Sequence, residues 1–416
     1  MGFAGSRLGC NANRSLHIGV AASPCRQYRR SCRILFPRRR FRSRLLFSIP
    51  ARGNRGAALG HARQCERCPR PYYLANLLYD RRRHEQAIKL WERSVKLDPK
   101  FSIPWRNLGI GYFNIRNDAS KARRTYDKAI AAAPDDARLL FERDQLWKRI
   151  GIAPRQRLAA LSKCRPLVDQ RDDLTIEFCS LLNQTSRHDK ALQLLISRQF
   201  QPWEGGEGQA LGQFIRSHLA LGRIALRDGR PAAAIEHFQA ALSPPHNLGE
   251  TKHLLANQSD IHYHLGQAFS AANRRIEARH HWRLAADFKG DFQTGSIRTF
   301  SEMTYFSALA MQRLGRTQSG AALLRRAQKF AAALFLSDVK IDYFATSLPT
   351  MLLFDDDLPH RQQTTALFIQ AQAKLGLGKV RKARKLLLTV LQRDPNHALA
   401  SDLIAELKET KPRSKP

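Results

Sequence analysis

Along most of this chain apolar residues return at every third or fourth position, the period of a helix with one buried face. Leu74, Ala75 and Leu78 are followed by Ala87, Trp91 and Ser94, and the string closes on Pro99. The arrangement then repeats as Trp105, Leu108, Gly109 and Tyr112, followed by Ala122, Tyr126 and Ala129, and it closes on Pro134, 35 residues after Pro99. Leu108 and Tyr112 are four apart and share one helix face, while Gly109 and Ala122 leave room for two paired helices to approach. Pro134 stops the second helix, because proline lacks the N–H that a helix interior needs. The pattern predicts helical hairpins in tandem, each unable to bury its apolar face without a stacked neighbour.

This spacing resembles the tetratricopeptide repeat, with one residue inserted in the turn of the second unit. Further units are expected at Phe178, Cys179, Leu182, Ala191 and Leu195, then at Leu221, Gly222, Ala225, Ala234, Phe238 and Ala241 before Pro244. Another is expected at Leu265, Gly266, Phe269, Ala278, Trp282 and Ala285. Weaker ones carry Ala308, Met311, Leu324 and Ala327, then Ala371, Ala383, Leu387 and Pro395. The expected fold is an all-α superhelix of tetratricopeptide-type hairpins. Its first two units cover residues 70–136, atypical linking helices 137–170, a degenerate superhelix with inserted loops 171–405, and a basic tail 406–416.

The strings WEGGEG, NLGE, DIHYHLG and KIDYFATSLPTMLLFDDDL, with the first two units, also resemble the C-terminal repeat half of large bacterial proteins of a domain-of-unknown-function family. Longer members of that family carry a β-rich, mutarotase-like domain ahead of the repeats. The resemblance implies an association with carbohydrate.

Charge changes the picture mainly at the N-terminus. The net charge is +35, but residues 1–70 hold 16 arginines, no lysine and the single acid Glu66, which leaves about +20 for the remainder. Cys10, Cys25, Cys32, Cys65 and Cys68 lie there too, and Pro24, Pro37, Pro50 and Pro69 interrupt it. Without amphipathic period, 1–69 is expected to be a disordered or non-native extension outside the folded unit. Myristoylation, twin-arginine, transit-peptide and nucleic-acid-arm readings each find only fragments of their patterns here. The segment HARQCERC supplies half of a zinc site at most. No apolar run approaches the roughly 20 residues of a membrane span. Cys164 and Cys179 read as reduced thiols of a cytoplasmic protein.

Few residues offer chemistry. In QPWEGGEG, Trp203, Glu204 and Glu207 sit among glycines, which makes either a structural turn or a ligand loop facing Asn247 and Glu250 of NLGE. Asp342 and Tyr343, with Asp355, Asp356 and Asp357, bring acids and aromatics together. The competing reading has Leu353 and Phe344 packing an irregular connection, with the aspartates solvated or capping the next helix. Asp260, His262, His264, His280 and His281 invite a metal site, but His262 falls where the repeat places a packing aromatic and no complete ligand set results. No phosphate loop, nucleophile elbow or paired zinc histidines occur.

The sequence therefore predicts a scaffold without metal, cofactor or catalysis, binding a protein or peptide on its concave face. First helices line that face in tetratricopeptide arrays, so the resemblance places Asn107 and Gln267 in the groove. A carbohydrate reading rests on Trp203, Glu204, Glu207, Asn247, Glu250, Asp342 and Tyr343. A nucleic-acid reading would need a continuous basic stripe on the folded part.

Overall fold

The computed structural model describes residues 70–201, 205–288, 290–293, 296–339 and 353–409, and all of them belong to one compact unit, Gln64–Pro416. The arginine-rich segment 1–69 and the tail from 410 lie outside the described residues.

Seven helical hairpins follow one another. They are α1 (Arg70–Asp80) with α2 (His84–Leu97), α3 (Ser102–Asn114) with α4 (Ala119–Ala132), and, after an interruption, α8 (Asp172–Gln184) with α9 (His188–Ile196). Then come α10 (Gln209–Arg227) with α11 (Pro231–Leu242), α12 (Ser259–Ala271) with α13 (Arg275–Asp287), α14 (Thr304–Arg313) with α15 (Thr317–Leu336), and α16 (Leu358–Gly376) with α17 (Val380–Arg393). The interruption holds α5 (Ala137–Arg149), α6 (Pro154–Ser162) and the single turn α7 (Arg165–Val168). A last helix, α18 (Ala398–Glu409), ends the described chain, and a two-stranded hairpin pairs β1 (Asp291–Gln293) with β2 (Ser296–Arg298).

One backbone device marks every hairpin turn. Arg82, Asn117, Ser186, Gly229, Asn273, Gly315 and Gly378 all have positive φ, between 51° and 82°, and each stands between the first and second helix of its unit. This left-handed residue follows the first helix, and the chain reverses in three or four residues. Side chains at four of the seven turns accept that conformation at some steric cost.

Within a hairpin, a small residue on the first helix receives a ring from the second. A methyl group on Gly109 would lie 2.5 Å from the Tyr126 ring, one on Gly222 would lie 2.3 Å from Phe238, and one on Gly266 would lie 2.3 Å from Trp282. Ala122, Ala234 and Ala278 are buried at the other side of the same contact. The helices thus approach until ring meets backbone, and the interior is filled by side chains only 16 or 17 residues apart.

One sequence expectation needs correction. Trp105 is half-buried rather than a core residue; its indole N–H donates to the Pro99 carbonyl oxygen at 2.9 Å, and the Lys128 ammonium lies 4.6 Å from its ring centre. The ring closes the inter-repeat junction from outside, while Tyr112 takes the buried place. The helix before QPWEGGEG ends at Ile196, and Phe200 is buried beyond it.

Second helices pack on the first helix of their own unit and of the next, and successive first helices touch one another. The chain then comes back onto that inner layer. Asp402 of α18 receives the Arg216 guanidinium of α10 through two bonds of 2.9 and 2.7 Å, and Glu406 pairs with Arg223 at 3.0 Å. Farther back, fully buried Arg157 of α6 donates to Asp144 of α5, to Glu177 of α8 at 2.7 Å, and to Asn396 at 2.7 Å, just before α18. These remote contacts are ion pairs and hydrogen bonds.

Candidate functional site

First helices line two open clefts. One, of about 740 Å³, lies against α1 and α3 and is bounded by Asn76, Tyr79, Arg106, Asn107 and Asn114. Asn107 is held there by a bond from its amide to Asn76 Oδ1 at 3.0 Å, and Arg106 is fixed by two bonds to the buried carboxylate of Glu142 at 2.6 and 2.7 Å. The other, of about 650 Å³, lies against α8, α10, α12 and α14 and includes Gln267, Tyr263, Tyr305 and Arg223, with Glu406 of α18 on its wall. The two expected groove residues therefore line different clefts.

Between the first cleft and a third of about 460 Å³ runs a strap, residues 353–357. Asn114, the last residue of α3, donates its amide to the Leu353 carbonyl oxygen and accepts from the Asp355 N–H, both at 3.1 Å. Phe354 enters the core formed by α1 to α5, edge-on to Phe113 and Tyr126 at 5.4 and 5.8 Å between ring centres. Asp356 pairs with Arg149 of α5 and, at 2.7 Å, with Arg361. Asp357 caps α16 by accepting from the His360 N–H at 2.8 Å. In the sequence Leu353 and the acids of this strap stand out; Phe354 and Asn114 carry no local signal, because each acquires meaning from a partner some 240 residues away.

The described part of the glycine-rich loop meets NLGE, and the contacts are with backbone. Glu250 accepts from the N–H groups of Gly208 and Leu211 at 2.5 and 3.1 Å, satisfying free donors at the start of α10 where the helix dipole favours an anion. Glu207 accepts from the Gly205 N–H at 2.9 Å. The Asn247 amide donates to the carbonyl oxygens of Leu195 and Arg198, at 2.8 and 2.7 Å, and so ties off the end of α9. Trp203, Glu204, Asp342 and Tyr343 lie outside the described residues.

The histidines form a repeated pair. His218 and His237 stand Nδ1 to Nδ1 at 3.1 Å, and so do His262 and His281 in the next unit, each pair 19 residues apart. One neutral ring donates and the other accepts. Burial, then the neighbouring ring, pushes His218 and His262 down to about 4. His264 stacks on Phe238 and is pushed to about 3, by burial and then Arg223, while burial raises Asp260 to about 6. Among the described residues no group of three or more His, Cys, Asp or Glu could hold a metal ion. Burial pushes the Cys179 thiol up to about 12, which leaves it unreactive. No helix among the described residues is long and apolar enough to cross a membrane.

Tetratricopeptide-repeat models match residues 72–137 and 212–247, and a second model of the same repeat matches 365–397. Among solved structures, the chain is similar to YrrB, described as a TPR protein with an unusual peptide-binding site, at 15% identity over 54% of this chain and 96% of that one, with a TM-score of 0.32. It is similar to MamA at 17% identity over 45% and 91% of the two chains, with a TM-score of 0.33. PilF of Pseudomonas aeruginosa is 16% identical over 65% and 93%, with a TM-score of 0.23. The hairpin geometry and the matched repeat models together establish that this chain carries tetratricopeptide repeats and has the tetratricopeptide-type helical fold.

Proposed function

We propose that this protein is a non-catalytic scaffold whose inner groove binds a protein or peptide partner. The observation that carries the reading is the pair of open clefts on the first-helix layer, lined by fixed amides, guanidinium groups and tyrosines. Such a surface offers hydrogen bonds to a peptide backbone and flat apolar area to its side chains. Two of the carboxylates that a carbohydrate site would use, Glu207 and Glu250, are engaged by backbone N–H groups, which favours the protein-binding reading.

A photo-crosslinking residue placed at Tyr79 or Gln267, in the clefts, is expected to capture one partner through a defined segment. The same group at Lys89, exposed on α2, is expected to capture none. Equal capture from inner and outer positions would overturn the groove assignment.

A further inference from the structure

The strap 353–357 is held in a way that packing alone does not require. Asn114 touches only its main chain, matching one carbonyl oxygen and one N–H that flank a single residue, Phe354. Any extended segment presents those two groups, so Asn114 reads a peptide, not a sequence. Sequence enters through two neighbouring features. The ring of Phe354, 2% exposed, fills a slot between Phe113 and Tyr126. The side chain of Asp356 is only 6% exposed between Arg149 and Arg361. Open clefts continue at both sides of the strap, so the groove is longer than the segment lying in it.

Resting on the groove reading above, we infer that residues 353–357 occupy the partner's own place, and that the partner segment carries the same chemistry: an aromatic residue followed within two positions by an acid, in extended form. The strap is then a tethered competitor. A tethered segment acts at an effective concentration of roughly millimolar. A partner therefore sees an apparent affinity lowered by the fraction of time the groove is filled. Residues of the strap need not be lost from the fold when displaced, because α16, which follows it, is anchored separately to α15 and α17.

The test uses a fluorescent peptide with the sequence TMLLFDDDL, titrated against the full chain by anisotropy. Phe354→Ala empties the slot. Asp355→Pro removes the N–H that Asn114 accepts while leaving the ring in place. Both variants are expected to bind the peptide at least about tenfold more tightly than the unaltered chain, and adding Asn114→Ala is expected to abolish that gain. A peptide with alanine in place of its phenylalanine is expected not to bind. Circular dichroism establishes that the variants are folded; should both fail, the unaltered chain at about 1 mM peptide carries the test with Asn114→Ala as its control. No binding in any folded form, or binding indifferent to Asn114, overturns the inference. If the peptide fails while crosslinking from Tyr79 still captures a partner, the groove reading stands and the strap inference falls. If the peptide binds but crosslinking captures equally from inner and outer positions, the strap chemistry stands and the assignment of a separate partner to the groove falls.

Discussion

The hairpin cores and the contacts that close the array are built on opposite terms. In the hairpins the decisive pairs are apolar and local: Gly109 under Tyr126, Gly222 under Phe238, Gly266 under Trp282. In the closing region they are remote and mostly polar: Arg157 with Asn396, Arg216 with Asp402, Asn114 with the strap, with Phe354 between Phe113 and Tyr126 as the apolar exception. Apolar burial is non-directional and tolerates drift along a repeat series, whereas charge pairs out of water demand fixed geometry and a complete set of partners. A repeat array extends by the first kind of contact, and this one is brought back upon itself by the second.

The largest effect is expected from Arg157→Ala. It leaves Asp144 and Glu177 buried without their shared cation, and breaking a buried pair of this kind costs about 3–5 kcal/mol. Burial alone would raise Glu177, yet Lys148 and Arg157 hold it down to about 2. Denaturant unfolding should show the loss. Hydrogen exchange should show it first at α18 and the strap, with the α1 to α4 hairpins protected; uniform loss of protection would erase the distinction between the two regions.

Gly266→Ala tests the local side. Its methyl group would enter the Trp282 ring, and overpacking of this sort costs about 1–3 kcal/mol. Double-mutant comparison with Arg157→Ala should be additive to within about 0.5 kcal/mol. A strong coupling would show that hairpin and closure are one cooperative contact.

Acid sharpens the same contrast. His188, His218, His262 and His264 are all held below the ordinary histidine value of 6.5, at about 3 to 4, with burial as the leading cause. The unfolded chain therefore binds more protons below pH 6.5, and stability is lost as pH falls from there toward 4. Asp260, raised to about 6, works the other way and offsets one histidine's worth of the slope. The melting temperature should drop across this window, and His262→Gln should flatten the drop.

Trp105→Ala should cost about 1–2 kcal/mol, below the 3–5 of a core aromatic, because the ring is only half-buried. A loss as large as that of Arg157→Ala would restore Trp105 to the core. The smallest effect is expected at Gly212, in α10, where an added methyl group meets nothing within 4 Å. Gly212→Ala should be neutral or stabilise by up to about 1 kcal/mol, by thermal melting, since alanine favours the helix.

The sequence by itself determined the hairpins. Their pairs lie within one repeat, so Gly222 and Phe238 or Gly266 and Trp282 can be read from spacing alone, and even the weak unit around Ala308 and Leu324 packs through those residues. It also brought Asn247, Glu250 and the glycine-rich loop to one junction, because they flank a single hairpin interval. What it did not contain was the use of those groups: Glu250 serves the backbone of α10, and that is decided by where two loops meet. Nor did it single out Asn114, Arg157 or Phe354. An asparagine at a helix end, an arginine in a short helix and a phenylalanine among aspartates have no period and no motif. The closing contacts join residues between 183 and 241 apart in the chain, and only the accumulated turn of the stacked hairpins places them within reach. Periodicity fixes what packs against its neighbour; the sum of many small rotations between neighbours fixes what meets across the groove.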